Sequence, residues 1–144
     1  MRYAQRLCQR TVRLYRRAQT AFTFLSIVAG SAALVSISAK LPSEFALGSA
    51  VAFAVFAAMN SAIRPAERID QNDMDVKKYA ALLVKAEELD VAAIRKLIAE
   101  ARQTDAPEVE PLRAVAFNDV MREINREDAL IPLTPSQKLF GAIA

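Results

Sequence analysis

Residues 21–63 read AFTFLSIVAGSAALVSISAKLPSEFALGSAVAFAVFAAMNSAI. Two runs of 19 residues, Ala21–Ala39 and Phe45–Ile63, hold no charge, and KLPSE at 40–44 separates them. A helix rises about 1.5 Å per residue, so each run would be roughly 28 Å long, close to the thickness of a bilayer's hydrocarbon core. The first run has eight Leu, Ile, Val or Phe residues. They favour insertion by roughly 2–5 kcal/mol, against several Ser and Thr, so the runs are expected to enter a membrane together as a hairpin. The competing reading is a soluble bundle with two apolar central helices. A helix without a polar face must be buried on every side, and the other helices of so short a chain have one apolar face each to offer. A cleaved signal peptide fits poorly, because the charged segment and the apolar run are both too long and a second apolar run follows.

Orientation follows from Lys and Arg. Six Arg precede the first run, Arg64 and Arg68 follow the second, and the connection offers only Lys40 and Glu44. The positive-inside rule puts both termini in the cytoplasm and makes KLPSE the outer turn. Small residues recur four apart at Ser26/Gly30, Ala29/Ala33, Ala32/Ser36, Gly48/Ala52, Ala50/Ala54 and Ala54/Ala58. In lipid such spacing lets helix backbones approach, although Ala-rich composition produces it by chance as well. Ser26, Gly30, Ala33, Gly48 and Ala52 are therefore candidates for span packing or a pore. Asn60 joins them, because an amide near the end of a span needs a hydrogen-bond partner or water.

At about 100° per residue, all six Arg of residues 2–18 fall within an arc of about 120°, opposite Tyr3, Leu7, Thr11, Leu14 and Ala18. This predicts an amphipathic helix at 1–20. It either lies on anionic lipid through Arg6, Arg10, Arg13, Arg16 and Arg17, or packs its apolar face on the cytoplasmic helices and leaves the Arg solvated. No aromatic interleaving accompanies the basic face, so nucleic acid is not an expected partner. Cys8 could be acylated there or be an inert thiol.

Residues 64–144 carry 12 basic and 15 acidic groups. IRPAERIDQNDMDVKKYAALLVKAEEL reads as a long helix, with Pro65 either in its first turn or kinking a continuation of the span. The acids from Glu67 to Asp75 read as a solvated face. Asp90 is the expected N-cap of a helix with an apolar stripe at Val91, Ile94, Leu97, Ile98 and Ala101. QTDAPEVEP is a loop, and a last helix is expected at about 111–126. Two Pro in the tail, 128–144, exclude a helix through it, while Leu139, Phe140 and Ile143 could dock on the bundle or on a neighbour.

The expected architecture is thus an all-α membrane protein. An amphipathic helix (1–20) leads into a hairpin of spans (21–39 and 45–63) around the turn at 40–44, followed by a cytoplasmic helical bundle (64–127) and a docked tail. Cys8 is the lone cysteine and His is absent, which excludes a disulfide framework and imidazole-dependent metal sites or triads. No phosphate loop, H-E-x-x-H or nucleophile elbow occurs. Neither an enzyme nor a resident cofactor is expected.

The segment RLYRRAQTAFTFLSIV, the hairpin, VKKYAALLVKAEEL with its Tyr79-x-x-Leu82 pattern, and FNDVMREI follow one another in an order that resembles the SMODS and SLOG-associating two-transmembrane effector (SLATT) family, over about residues 1–127. The absence of Trp departs from a common interfacial pattern. The resemblance implies an effector of bacterial anti-phage defence, paired with a nucleotide-synthesising or nucleotide-sensing partner protein, which assembles as a homo-oligomer in the inner membrane and damages it. It further implies a cyclic nucleotide or oligonucleotide as regulatory ligand. Arg64, Arg68, Lys77 and Lys78 are then candidate phosphate contacts, with ordinary surface and membrane-anchoring charge as their competing role. A phage holin and a membrane-anchored scaffold share the same outline and remain open.

Overall fold

The computed structural model describes residues 1–39 and 42–144, and among these the regular structure is helical with no strand. The order is α1 (Arg2–Ser38), α2 (Ser43–Ile63), α3 (Pro65–Lys85), α4 (Val91–Arg102), α5 (Leu112–Glu123) and α6 (Pro135–Ile143), with short 3₁₀ turns at Ala86–Glu88 and Glu127–Ala129. α1 and α2 each contain a window long and apolar enough to cross a membrane.

The basic segment and the first apolar run form one helix of 37 residues, uninterrupted by Pro. Lys40 and Leu41 of the expected outer turn lie outside the described residues. Ser43 and Glu44 already belong to the first turn of α2, where the Glu44 carboxylate suits the positive end of the helix dipole. Arg64 settles how α2 gives way to α3. It adopts the left-handed conformation (φ 47°, ψ 55°), and its N–H donates to Asn60 O at 3.1 Å. Pro65 then opens α3, where its missing N–H leaves no helical bond unmade, so it starts a helix and does not kink one.

The chain divides into two compact units, Arg16–Ala66 and Met1–Tyr15 with Glu67–Ala144. In the first, Gly30 of α1 lies against Phe53 of α2, close enough that an added Cβ would stand 3.3 Å from the ring. Phe22, Ser26, Ala29, Gly30, Ala33 and Ser36 are the sheltered positions of α1 within residues 21–39; Ala46, Ser49, Ala52, Phe56, Ala57 and Asn60 are those of α2. Both sets recur every three or four residues, one stripe per helix. Small side chains occupy most of each stripe, as close approach of two backbones requires.

The second unit has its core where Leu7 of α1 meets Leu112 and Ala116 of α5 and Ala144 behind α6, with Tyr3, Leu14, Val109 and Phe140 packed around them. Burying Leu7, Thr11 and Val12 shows that the apolar face of the N-terminal segment packs on other helices. Asn118 of α5 is buried too, and it brings the chain back: Nδ2 donates to Ile131 O at 2.8 Å and Oδ1 accepts from Ile131 N at 2.9 Å. Reciprocal bonds of this kind satisfy a buried amide and fix the following segment to α5.

The two prolines were expected to exclude a helix through the tail, and none runs through them, but the second starts a shorter one. Pro135 is the first residue of α6, and Thr134 with Gln137 forms a capping box. Of the three apolar residues expected to dock, Phe140 reaches the core, while Leu139 and Ile143 stay exposed. Gly141 allows the approach: a Cβ there would lie 3.2 Å from both methyl carbons of Val115.

Candidate functional site

Two features carry chemistry: the apolar pair formed by α1 and α2, and a charged clasp in the second unit.

Large apolar side chains of the pair point outward. Phe24, Ile27, Leu34, Val35, Ile37, Phe45 and Leu47 are each 60–69% exposed. No residue of α2 is buried. In water this surface would be very costly, at about 25 cal/mol for each Å² of apolar area. The hydroxyls are quiet: Ser36 donates to Ala32 O at 2.7 Å and Ser49 to Phe45 O at 2.6 Å, each within its own helix. Of the residues expected to pack, Ser26, Gly30, Ala33, Ala52 and Asn60 lie among the sheltered positions, whereas Gly48 is exposed, and a Cβ added there would have nothing within 4 Å. Asn60 Oδ1 is buried without a hydrogen-bond partner, an uncommon condition for an acceptor.

The basic face of α1 splits. Arg10 grips Asp119 of α5 with two nitrogens, Nε to Oδ2 at 2.8 Å and Nη2 to Oδ1 at 3.0 Å, and donates to Gly141 O with the third at 3.1 Å. Arg6 bonds Glu123 at 2.6 Å, and this bond holds the Glu123 carboxyl below its usual range. These two arginines, expected to be solvated or on lipid, hold α1 to α5. Arg13 is exposed, as are Arg16 and Arg17, which also have interactions of their own.

The four candidate phosphate contacts are not assembled into one cluster within either unit. Arg64 belongs to the α1–α2 unit, and Arg68, Lys77 and Lys78 to the other. Lys77 is exposed on α3. Lys78 is engaged: its Nζ meets Asp75 Oδ1 at 2.7 Å, Asp105 Oδ1 at 2.6 Å and Ala101 O at 3.0 Å. An ammonium has three protons, and here each has an acceptor. The other Asp75 oxygen accepts from Ala106 N at 2.8 Å, and the other Asp105 oxygen accepts from the Tyr79 hydroxyl.

The result is a clasp between α3 and the loop after α4. Burial works against the charge on Lys78, yet the bonds to Asp105 and Asp75 outweigh it and raise its pKa. Burial, then the bond to Asp105, raises Tyr79 well above the usual phenol range. Cys8 is pushed up to about 12, by burial first and then by the Asp75 and Asp105 charges, so its thiol stays protonated and unreactive. A cleft of about 420 Å³ opens beside the clasp, walled in part by Gln71, Met74 and Pro107.

Asp75 was expected on a solvated face and is 5% exposed. The signal available in the sequence was the Asp75/Lys78 pair three residues apart on one helix face, with another Asp just past the C-terminal end of α4. Among the described residues, no group of three or more His, Cys, Asp or Glu could hold a metal ion. No protein-family model, no curated protein and no solved structure matches this chain.

Proposed function

We propose that this protein is a membrane effector: α1 and α2 insert as a transmembrane hairpin in the bacterial inner membrane with both termini in the cytoplasm, and copies assemble to permeabilise or depolarise it. The observation that carries the reading is the inverted surface of the α1–α2 pair, mostly small residues with a few phenylalanines within and Phe24, Ile27, Leu34 and Leu47 outside. Such a pair is matched to lipid, where close backbone packing and not hydrophobicity joins helices. Orientation rests on Arg13, Arg16, Arg17, Arg64 and Arg68 flanking the uncharged runs.

The defence role rests on the SLATT resemblance, and with it the homo-oligomer, the nucleotide-synthesising or sensing partner and the cyclic nucleotide or oligonucleotide ligand. With Lys78 committed to Asp75 and Asp105, phosphate contacts fall to Arg64, Arg68 and Lys77. Expression in bacteria carrying a membrane-potential dye tests the effector. Depolarisation on induction, alone or with its nucleotide signal, is expected; a chain that stays in the membrane and never depolarises cells would be a tether or scaffold instead.

A further inference from the structure

The outer face of α1 carries a feature that neither helix packing nor the clasp uses. Two shallow grooves of about 390 and 400 Å³ lie along it, with Thr20 and Phe24 shared between them. Arg16, Arg17, Thr20, Ala21 and Phe24 line the first, and Gln19, Thr20, Thr23, Phe24 and Ile27 the second. At about 100° per residue Arg17, Thr20, Phe24 and Ile27 lie on the side of α1 opposite Ser26, Ala29 and Ala33, turned away from α2, with Arg16, Ala21 and Thr23 toward its edges and Gln19 beside Ser26. One end is basic and polar. The other is apolar, with Phe24 63% and Ile27 62% exposed.

The geometry points to a binding site for one anionic phospholipid, its phosphate at Arg16 and Arg17 and an acyl chain along Phe24 and Ile27. This inference rests on the insertion of α1 in a membrane. Several observations converge on it. Arg16 and Arg17 are the last charges before a run of uncharged residues, which is where a headgroup would stand if the run were in hydrocarbon. A guanidinium presents five N–H donors in a planar fork whose geometry matches a phosphate. The Thr20 hydroxyl, between the two ends, donates its proton to Arg16 O at 3.0 Å within the helix. The order of the two groove ends also selects the ligand. A soluble phosphate or nucleotide would satisfy the arginines but leave Phe24 and Ile27 uncovered, and a zwitterionic headgroup would bring a positive charge to a positive site.

The full chain, purified in detergent, is titrated with phosphatidylglycerol, phosphatidylcholine or glycerol 3-phosphate and read by native mass spectrometry. One phosphatidylglycerol is expected to be retained in preference to phosphatidylcholine by roughly tenfold or more, since each surface cation contributes about a factor of five. R16Q/R17Q should abolish the preference, and F24S should weaken retention while keeping it. R95Q/K96Q, which removes the same charge from α4, should change neither. Circular dichroism of each variant checks that it remains helical. Equal retention of the two lipids, an R16Q/R17Q chain that keeps the preference, or glycerol 3-phosphate bound as well as the lipid would each overturn the site. Carbonate extraction separates this from the larger reading. A chain that stays in the membrane but lacks the preference sinks the lipid site alone, whereas one that washes off sinks insertion and the site together.

Discussion

Lys78 Nζ lies 2.6 Å from Asp105 Oδ1, joining the middle of α3 to the loop that follows α4. Asp75 shares the same ammonium at 2.7 Å, and its side chain is 7% exposed. Removing the cation leaves two carboxylates facing each other in a sheltered place. K78M is therefore expected to cost about 3 kcal/mol, more than the pair itself contributes, because the uncompensated charges remain. Y79F removes one hydrogen bond and is expected to cost about 1 kcal/mol. Urea unfolding in mild detergent, followed by far-ultraviolet circular dichroism, measures both. Equal midpoints for K78M and wild type would mean that the clasp does not hold the loop.

The same cluster predicts how stability changes in alkali. Tyr79, Lys78 and Cys8 all bind their protons more tightly in the folded protein than in an ordinary setting. The unfolded chain therefore loses these protons first as pH rises. Stability is full below the ordinary thiol pKa of about 9 and falls from there upward, as each group passes the range between its unfolded and folded values. The Cys8 part of the loss is complete near pH 12. Melting curves from pH 7 to 11 should show a falling midpoint above pH 9, shallower in C8A. A midpoint that rises in this range would reverse the sign for all three groups.

What was legible in the sequence divides along physical lines. Long uncharged runs, an N-cap at Asp90 and apolar periodicity are local signals, and α1, α2 and α4 follow from them; Ala93 N donates to Asp90 Oδ1 at 2.8 Å as expected. α6 was missed although a signal for its start was present, in Thr134-Pro-Ser-Gln137, a capping-box spacing with Pro at the first helical position, where a residue that breaks helices elsewhere starts one. The clasp was not legible. Asp75 and Asp105 stand 30 residues apart and look like any solvated acids until the loop folds back on α3. The same holds for the arginines. Spacing placed six on one face, and only the position of α5 separates Arg10, held by Asp119, from Arg13, which has no such acid.

That separation can be measured. R10A loses a two-pronged carboxylate contact and the bond to Gly141 O, both in a mostly sheltered place. It is expected to cost about 2–3 kcal/mol and to release α6. R13A, on an exposed side chain, is expected to change stability by less than about 0.5 kcal/mol. Limited proteolysis reads the difference as early cleavage between Arg126 and Lys138 in R10A alone. Equal cleavage of both variants would mean that α6 is held by Phe140 and Ala144 without help from Arg10.

Gly30 and Gly48 had the same expected role and have different surroundings. A side chain at Gly30 meets Phe53 at 3.3 Å from its first carbon, so G30L must displace the Phe53 ring or push the two helices apart, at a cost of about 1–3 kcal/mol. Gly48 meets nothing within 4 Å, so G48L should leave the pair intact. If copies of the chain assemble through the outer face of α2, however, Gly48 is where they would approach, and G48L should block assembly without loosening the pair. Cysteine crosslinking between positions 26 and 57 in a C8A background reports the pair, and blue native electrophoresis reports assembly. G30L should lower the crosslinking yield, and G48L should lower only the oligomer band. An unchanged oligomer in G48L would move the contact between copies off this face of α2.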